Sequence, residues 1–262
     1  MKVYKARVKS NKWVSSRYKH LILHLPDVLD QCKPGQFFHL RCSKSFNPLL
    51  RRPMSIYQIR PEKGELHFLY LVKGAGTKLI AQLQEGDVFD LFGPLGKGFE
   101  LEPSWRNILI LARGVGLATL GPLAEMASQQ NIKTHAVLSA RTRKDLLSQE
   151  YMRSCGAEVY TVTDEEGTSD VDKVRALIVR LIDIHKIEAV FTCGSKRLTM
   201  MLKQVSLDKG IVGQVALEEY MGCGIGMCFC CVKPFYRDDK IQNLRVCCDG
   251  PVFPLEEVIL DA

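Results

Sequence analysis

Between Lys2 and about Phe99 the chain runs in short apolar or alternating stretches kept apart by turn residues. Lys19–Leu25, Gln36–Arg41, Met54–Ile59 and Leu66–Val72 are such stretches, with Pro26, Pro34-Gly35 and Lys63-Gly64 between them. Short runs bounded by Gly and Pro read as strands. Val88–Phe92 follows Gly86-Asp87 and ends in Gly93-Pro94-Leu95-Gly96, while Thr77–Leu83 is the one helix-like piece. Many short strands with little helix predict a small antiparallel β-barrel over residues 1–101.

After Pro103 the rhythm changes. Asn107–Ala112, Lys133–Ser139, Glu158–Thr163, Ala189–Cys193 and Val212–Leu217 are buried-strand runs, each separated from the next by a helix-sized segment. Within Asp172–His185, Val174, Leu177, Ile178 and Leu181 recur at helical spacing and make one apolar face. Five strands alternating with helices predict a parallel, doubly wound α/β domain over 102–217. From Glu218 neither pattern continues, and 218–262 is expected to be a small irregular module. The whole is therefore a multidomain β plus α/β chain.

Length agrees, since 262 residues suit two ordinary domains. Apolar residues at 46% and charged ones at 25% exclude wholesale disorder. The net charge of +7 comes from Lys and Arg scattered among acids, so no nucleic-acid footprint stands out. The longest clean aliphatic run, Ile108–Ala112, is far short of the roughly 20 residues of a membrane helix. The start, MKVYKARVKS, has charge but no apolar region behind it. A cytoplasmic protein without nucleic-acid or membrane partners is expected.

Cysteine changes the picture. Six of the ten, Cys223, Cys228, Cys230, Cys231, Cys247 and Cys248, fall within 26 residues near the C-terminus. With no export signal and enough chain for ordinary cores, a metal site explains the cluster better than disulfides. Cys223, Cys228 and Cys231 form C-x4-C-x2-C, the spacing of plant-type 2Fe–2S sites, whose fourth thiolate is distant. Gly224 and Gly226 let the loop adopt positive φ and aim backbone N–H groups at sulfur. On spacing alone the fourth ligand is Cys247 or Cys248, and Cys230 is a spectator. A zinc knuckle is the bland alternative, although zinc favours two C-x2-C pairs and only Cys228–Cys231 fits.

Four further segments carry chemistry. In Arg52-Pro53-Met54-Ser55 a guanidinium can grip phosphate with two hydrogen bonds, and a hydroxyl sits three residues on. The alternative is a solvated surface strand. The pattern resembles the way ferredoxin-reductase-like proteins hold the pyrophosphate and isoalloxazine edge of FAD. Gly74-Ala75-Gly76-Thr77 follows a strand and opens a helix-like piece, which offers a second phosphate contact or simply a capped turn. Ala112-Arg113-Gly114-Val115-Gly116 leads from the first parallel strand towards a helix, and Gly114 and Gly116 suit a dinucleotide pyrophosphate. Thr192-Cys193-Gly194-Ser195 ends the fourth, where Cys193 would abut a nicotinamide or sit in the core. None of the six histidines pairs into a catalytic set, so the chain reads as a redox conduit.

At this point the sequence resembles the electron-transfer subunit of dihydroorotate dehydrogenase B, a family within the ferredoxin-reductase-like superfamily. The likeness runs nearly end to end. It rests on Pro34-Gly35-Gln36-Phe37, Leu49-Leu50-Arg51-Arg52-Pro53-Met54-Ser55-Ile56, Gly93-Pro94-Leu95-Gly96 with Gly98-Phe99, and Thr192-Cys193-Gly194. The tail adds Glu218, Met221, the cysteine loop and Val246-Cys247-x-Asp249-Gly250-Pro251-Val252-Phe253. The resemblance implies FAD on Arg52, Pro53, Met54, Ser55, Leu69, Tyr70, Leu71, Gly76 and Thr77. It implies a 2Fe–2S cluster on Cys223, Cys228, Cys231 and Cys247, and NAD(P) as the pyridine nucleotide. It also implies an oxidoreductase subunit of pyrimidine biosynthesis, partnered with an FMN-containing catalytic subunit in a two-plus-two heterotetramer. Ala112-Arg113-Gly114 departs from the family's three glycines, and Arg141 and Arg143 stand where a 2′-phosphate could be met. A paralogous reductase subunit serving another redox enzyme is the alternative that this departure motivates.

Overall fold

The computed structural model describes residues 1–260; Asp261 and Ala262, the end of the expected C-terminal module, lie outside the described residues. The first half holds β1 (Lys2–Trp13), β2 (Tyr18–His24), β3 (Phe37–Leu40), β4 (Arg52–Ser55), β5 (Gln58–Arg60), β6 (Glu65–Leu71), the short helix α1 (Ala75–Ile80) and β7 (Val88–Leu95). These strands make a seven-stranded antiparallel sheet in the order β4-β3-β7-β1-β2-β6-β5, curled into a half-barrel. Alternation does the work. In β1, Tyr4, Ala6 and Val8 are buried while Lys5 and Arg7 between them are exposed, as the period of two requires. Phe38, Leu40, Leu21, Leu23, Phe68 and Leu91 complete the apolar interior. β4 is an edge strand, the position in which Pro53 costs no ladder hydrogen bond.

The second half holds β8 (Asn107–Arg113), α2 (Gly116–Gln129), β9 (Lys133–Ala140), α3 (Gln149–Ser154), β10 (Glu158–Thr163), α4 (Val171–His185), β11 (Ala189–Cys193), α5 (Lys196–Lys209) and β12 (Val212–Ala216). The five strands are parallel, in the order β10-β9-β8-β11-β12. Helices cover their faces, so the central run Ile108–Ala112 is buried on both sides. α4 begins where the Asp170 carboxylate accepts from the Asp172 N–H at 3.0 Å. It buries Val174, Ile178 and Leu181, as the spacing predicts, and Ile182 in addition, while Leu177 is half-buried; each buried side chain contributes roughly 1.5–3 kcal/mol.

The tail departs from expectation. It contains a hairpin, β13 (Val232–Arg237) with β14 (Lys240–Arg245), and a strand β15 (Val252–Pro254) that joins the parallel sheet antiparallel to β12 as its sixth member. The hairpin escapes a reading by hydrophobic alternation because Phe235 is its one buried side chain. Its turn residues Asp238 and Asp239 both have positive φ, as a two-residue hairpin turn demands. The helix expected over Thr77–Leu83 starts two residues earlier and ends at Ile80. Among the described residues no helix is long and apolar enough to cross a membrane.

Candidate functional site

A cleft of about 250 Å³ opens where the half-barrel, the parallel sheet and the tail meet. Pro53, Met54 and Ser55 of β4 and Leu69, Tyr70 and Leu71 of β6 line one wall. Cys193 at the end of β11 and Val115 and Thr119 around the start of α2 line another, and Leu217, Glu218, Glu219 and Met221 with Pro251 supply the tail's share. Strand alternation sets what each gives. Tyr70 is fully buried in the barrel core, where its hydroxyl donates to Asn11 Oδ1 at 3.0 Å. What Tyr70 lends the cleft is therefore backbone, with Leu69 and Leu71 beside it. Arg52, Gly76 and Thr77 lie outside the cleft lining but are brought together. A Cβ on Gly76 would stand 2.9 Å from Arg52 Nε and 2.8 Å from Cys42 Sγ, so only glycine lets the guanidinium lie against α1. The Thr77 hydroxyl accepts from the N–H groups of Lys73 and Gly74 at 2.9 and 3.1 Å, closing that turn.

The turns after β8 and β11 lie side by side, at the point where the strand order reverses. Such a switch point is where an open α/β sheet binds its ligand. Gly114 has φ +61 and Gly194 φ +114. A Cβ on Gly116 would run into the Cys193 carbonyl oxygen, and one on Gly194 into that of Arg113. Backbone packs on backbone there, leaving the N-terminus of the 14-residue α2 free of side-chain bulk. Arg113 points away from this turn. Its guanidinium donates to Ser139 Oγ and Asp164 Oδ2, each at 2.6 Å, and spans the ends of β8, β9 and β10. Arg143 pairs with Glu166. Burial pushes the Cys193 thiol far up, keeping it neutral.

The cysteine loop folds over the edge of the half-barrel. Cys223 Sγ accepts from the N–H groups of Ile225 and Cys228 at 3.4 Å, and Cys231 Sγ from the Cys247 N–H at 3.4 Å. Gly224 and Gly226 have φ +72 and +79. Burial raises the Cys223 thiol, but N–H groups from Ile225, Cys228 and Met227 outweigh it and bring its pKa down to about 7. Burial pushes Cys231 up to about 11, and Cys247 upward too. Cys247 is buried and Cys248 half-buried, with their sulfurs 3.5 Å apart. Both face Gly226, whose N–H reaches Cys247 and whose Cβ would stand 3.0 Å from Cys248 Sγ. Cys230 is exposed. Among the described residues no three cysteine sulfurs lie within 4.8 Å of one another. Arg245 clamps the turn: its N–H and Nε meet Asp249 Oδ2 at 2.8 and 3.1 Å.

One residue of the site escaped the sequence reading, and a second, Glu218, entered it only as part of the tail that carries the family resemblance. His39, on β3, is 1% exposed, and its Nε2 has no hydrogen-bond partner where it abuts Gly224 of the cysteine loop. Burial, with Arg51 adding to it, pushes its pKa down to about 4. A buried ring nitrogen without a partner, able to donate when it carries the ring proton, fits a sulfur-rich group held by the loop at this spot. Glu218 borders the cleft; the walls enclose its carboxyl and push its pKa up, although the cleft itself leaves it accessible. No local pattern marks His39, and only the family resemblance marks Glu218, since each acts through a neighbour distant in sequence.

An antiparallel half-barrel, a doubly wound sheet with its switch point on a shared cleft, and a cysteine-rich tail define the class: a ferredoxin-reductase-like oxidoreductase with an iron–sulfur module. Solved structures agree. The NADH-dependent reduced ferredoxin-NADP oxidoreductase, described in connection with flavin-based electron bifurcation, superposes with a TM-score of 0.78 at 25% identity, covering 97% of this chain and 89% of that one. Ferredoxin-NADP+ reductase from Plasmodium falciparum shares the fold at a TM-score of 0.61 and 12% identity, covering 78% and 89%. Residues 218–259 match the family model for the iron-sulfur cluster binding domain of dihydroorotate dehydrogenase B. The electron transfer subunits of dihydroorotate dehydrogenase B (NAD(+)) from Desulforamulus reducens and Bacillus caldolyticus are 33% and 34% identical, covering 98% and 97% of both chains. The chain belongs to this family of electron-transfer subunits.

Proposed function

We propose that the chain passes electrons between a pyridine nucleotide and a separate FMN-containing catalytic subunit that oxidises dihydroorotate, in the cytoplasmic pathway of pyrimidine synthesis. The observation that carries the reading is one cleft bounded at once by β4 and β6, by the switch-point turns, and by the segment that enters the cysteine loop. Met221 borders the cleft and Cys223 stands two residues further on, roughly 7 Å of extended chain. FAD, when bound, would supply the exchange between two-electron and one-electron chemistry, and a 2Fe–2S cluster would carry single electrons.

The residues divide the labour. Arg52 and the Gly76-Thr77 turn hold phosphate, Ser55 and Met54 meet the flavin ring, and Leu69, Tyr70 and Leu71 shape its wall together with Pro53. Gly114, Gly116 and Gly194 keep the nucleotide's path open, and Cys193 stands as a neutral thiol at its inner end. Cys223, Cys228, Cys231 and Cys247 hold the cluster. The preference for Cys247 over Cys248 rests on the family pattern, its burial beside Cys231 and its contact with the Gly226 N–H. NAD rather than NADP fits Arg143 being already paired with Glu166. Around the loop Tyr220, Met227 and Phe229 are exposed, an apolar rim suited to a partner, here taken to complete a two-plus-two heterotetramer.

Co-expression with a dihydroorotate-oxidising FMN subunit tests this. The pair should co-purify as a heterotetramer and reduce NAD when given dihydroorotate. Co-purification with a redox partner that leaves dihydroorotate untouched would overturn the assignment and favour a paralogous reductase.

A further inference from the structure

Away from the cleft, at the opposite end of the parallel sheet, three side chains from three elements converge. His135 is the third residue of β9, Glu158 opens β10 directly beside it in register, and His185 is the last residue of α4. One ligand atom from each lies within 4.8 Å of the other two. The two imidazole rings stack with centroids 4.0 Å apart, and His135 Nδ1 stands 3.6 Å from Glu158 Oε2.

An independent observation points to a ligand. His135 is 2% exposed, yet neither of its ring nitrogens has a hydrogen-bond partner. Buried polar atoms are nearly always satisfied, and an imidazole with both nitrogens orphaned calls for an explanation. The stacked His185 ring supplies none, and 3.6 Å to Glu158 is too long for a hydrogen bond. Glu158 is set for a second role. The Tyr160 hydroxyl donates to its Oε1 at 2.5 Å and leaves Oε2 on the histidine side. Its side chain is 47% exposed, so an ion could enter and keep water in its remaining position.

We propose that His135, Glu158 and His185 form a binding site for a divalent transition-metal ion of borderline softness, zinc foremost, separate from the cysteine loop. Two imidazoles and one carboxylate suit zinc, cobalt(II) or nickel(II), whereas calcium and magnesium prefer all-oxygen sites. Three protein ligands plus water complete a tetrahedral zinc sphere. The position of His185 at a helix C-terminus adds a favourable dipole for a cation. Five residue steps along β9 separate His135 from Ala140 at the cleft end, about 17 Å. The ion therefore ties β9, β10 and α4 together and takes no part in the redox path.

Calorimetric titration of the flavin- and cluster-loaded protein with zinc chloride, after passage over chelating resin under argon, tests the site. One equivalent should bind to the wild type and raise its melting temperature. His185→Ala and Glu158→Gln, both at accessible positions and keeping wild-type flavin and cluster absorption, should bind that equivalent at least tenfold more weakly. His135→Gln should abolish it; should that buried variant fail to fold, the other two still decide. Absence of a zinc equivalent in the wild type, or affinity unchanged in both accessible variants as adventitious thiol binding would give, overturns the proposal.

Discussion

Single residues carry the sharpest consequences at the cysteine loop and the paired βα turns. Cys247→Ser should lose the cluster, while Cys248→Ser keeps it, read as iron content and visible absorption of the anaerobic protein. The reverse outcome would reassign the fourth ligand. Gly116→Ala places a methyl against the Cys193 carbonyl, an overpacking that typically costs about 1–3 kcal/mol. Reduction by NADH should fall at least tenfold while flavin and cluster spectra persist, and unchanged kinetics would remove the turn from the nucleotide path. These positions were legible in the sequence because cysteine spacing and glycine turns are local. His39 was not, and Glu218 entered only through the family resemblance, because each matters through a contact with a segment distant along the chain, Gly224 for one and the cleft walls for the other.

At the scale of elements, Asp90 on β7 ties the half-barrel together. Its carboxylate meets Arg51 Nη2 at 2.6 Å just before β4 and Lys5 Nζ at 2.8 Å on β1. Burial alone would raise its pKa, but hydrogen bonds from Lys5 and Arg51 outweigh that and hold it below 3.8. A carboxyl lowered on folding stabilises above its unfolded pKa and loses that contribution as pH falls through the folded one. Thermal unfolding should therefore show Asp90→Asn destabilised by roughly 1–3 kcal/mol near neutrality, with the gap closing below about pH 4. A gap independent of pH would assign the loss to packing. The strands and α4 followed from alternation and helical period because each buries one defined face or both. β13 and β14 did not, because a hairpin solvated on nearly every position carries no such pattern, and β15 is only three residues long.

For the whole molecule, what matters is the meeting of three parts that are separate in sequence. The Lys97 N–H donates to the Gly250 carbonyl at 2.6 Å, and the Leu217 N–H to that of Pro251 at 2.9 Å. These bonds dock the tail on both the barrel exit and the last parallel strand, and so bring the cysteine loop to the cleft. No local pattern announces that closure; the family resemblance did, through motifs at both ends of the chain. The central claim is that one cleft joins a pyridine nucleotide to the cysteine loop. Its most direct test is an anaerobic visible spectrum of the purified chain, recorded before and after NADH and then NADPH. The account predicts a flavin band over broad cluster absorption, both bleached by NADH and little changed by NADPH. Flavin and cluster that neither nucleotide bleaches, or a colourless protein that reconstitutes neither, would contradict it.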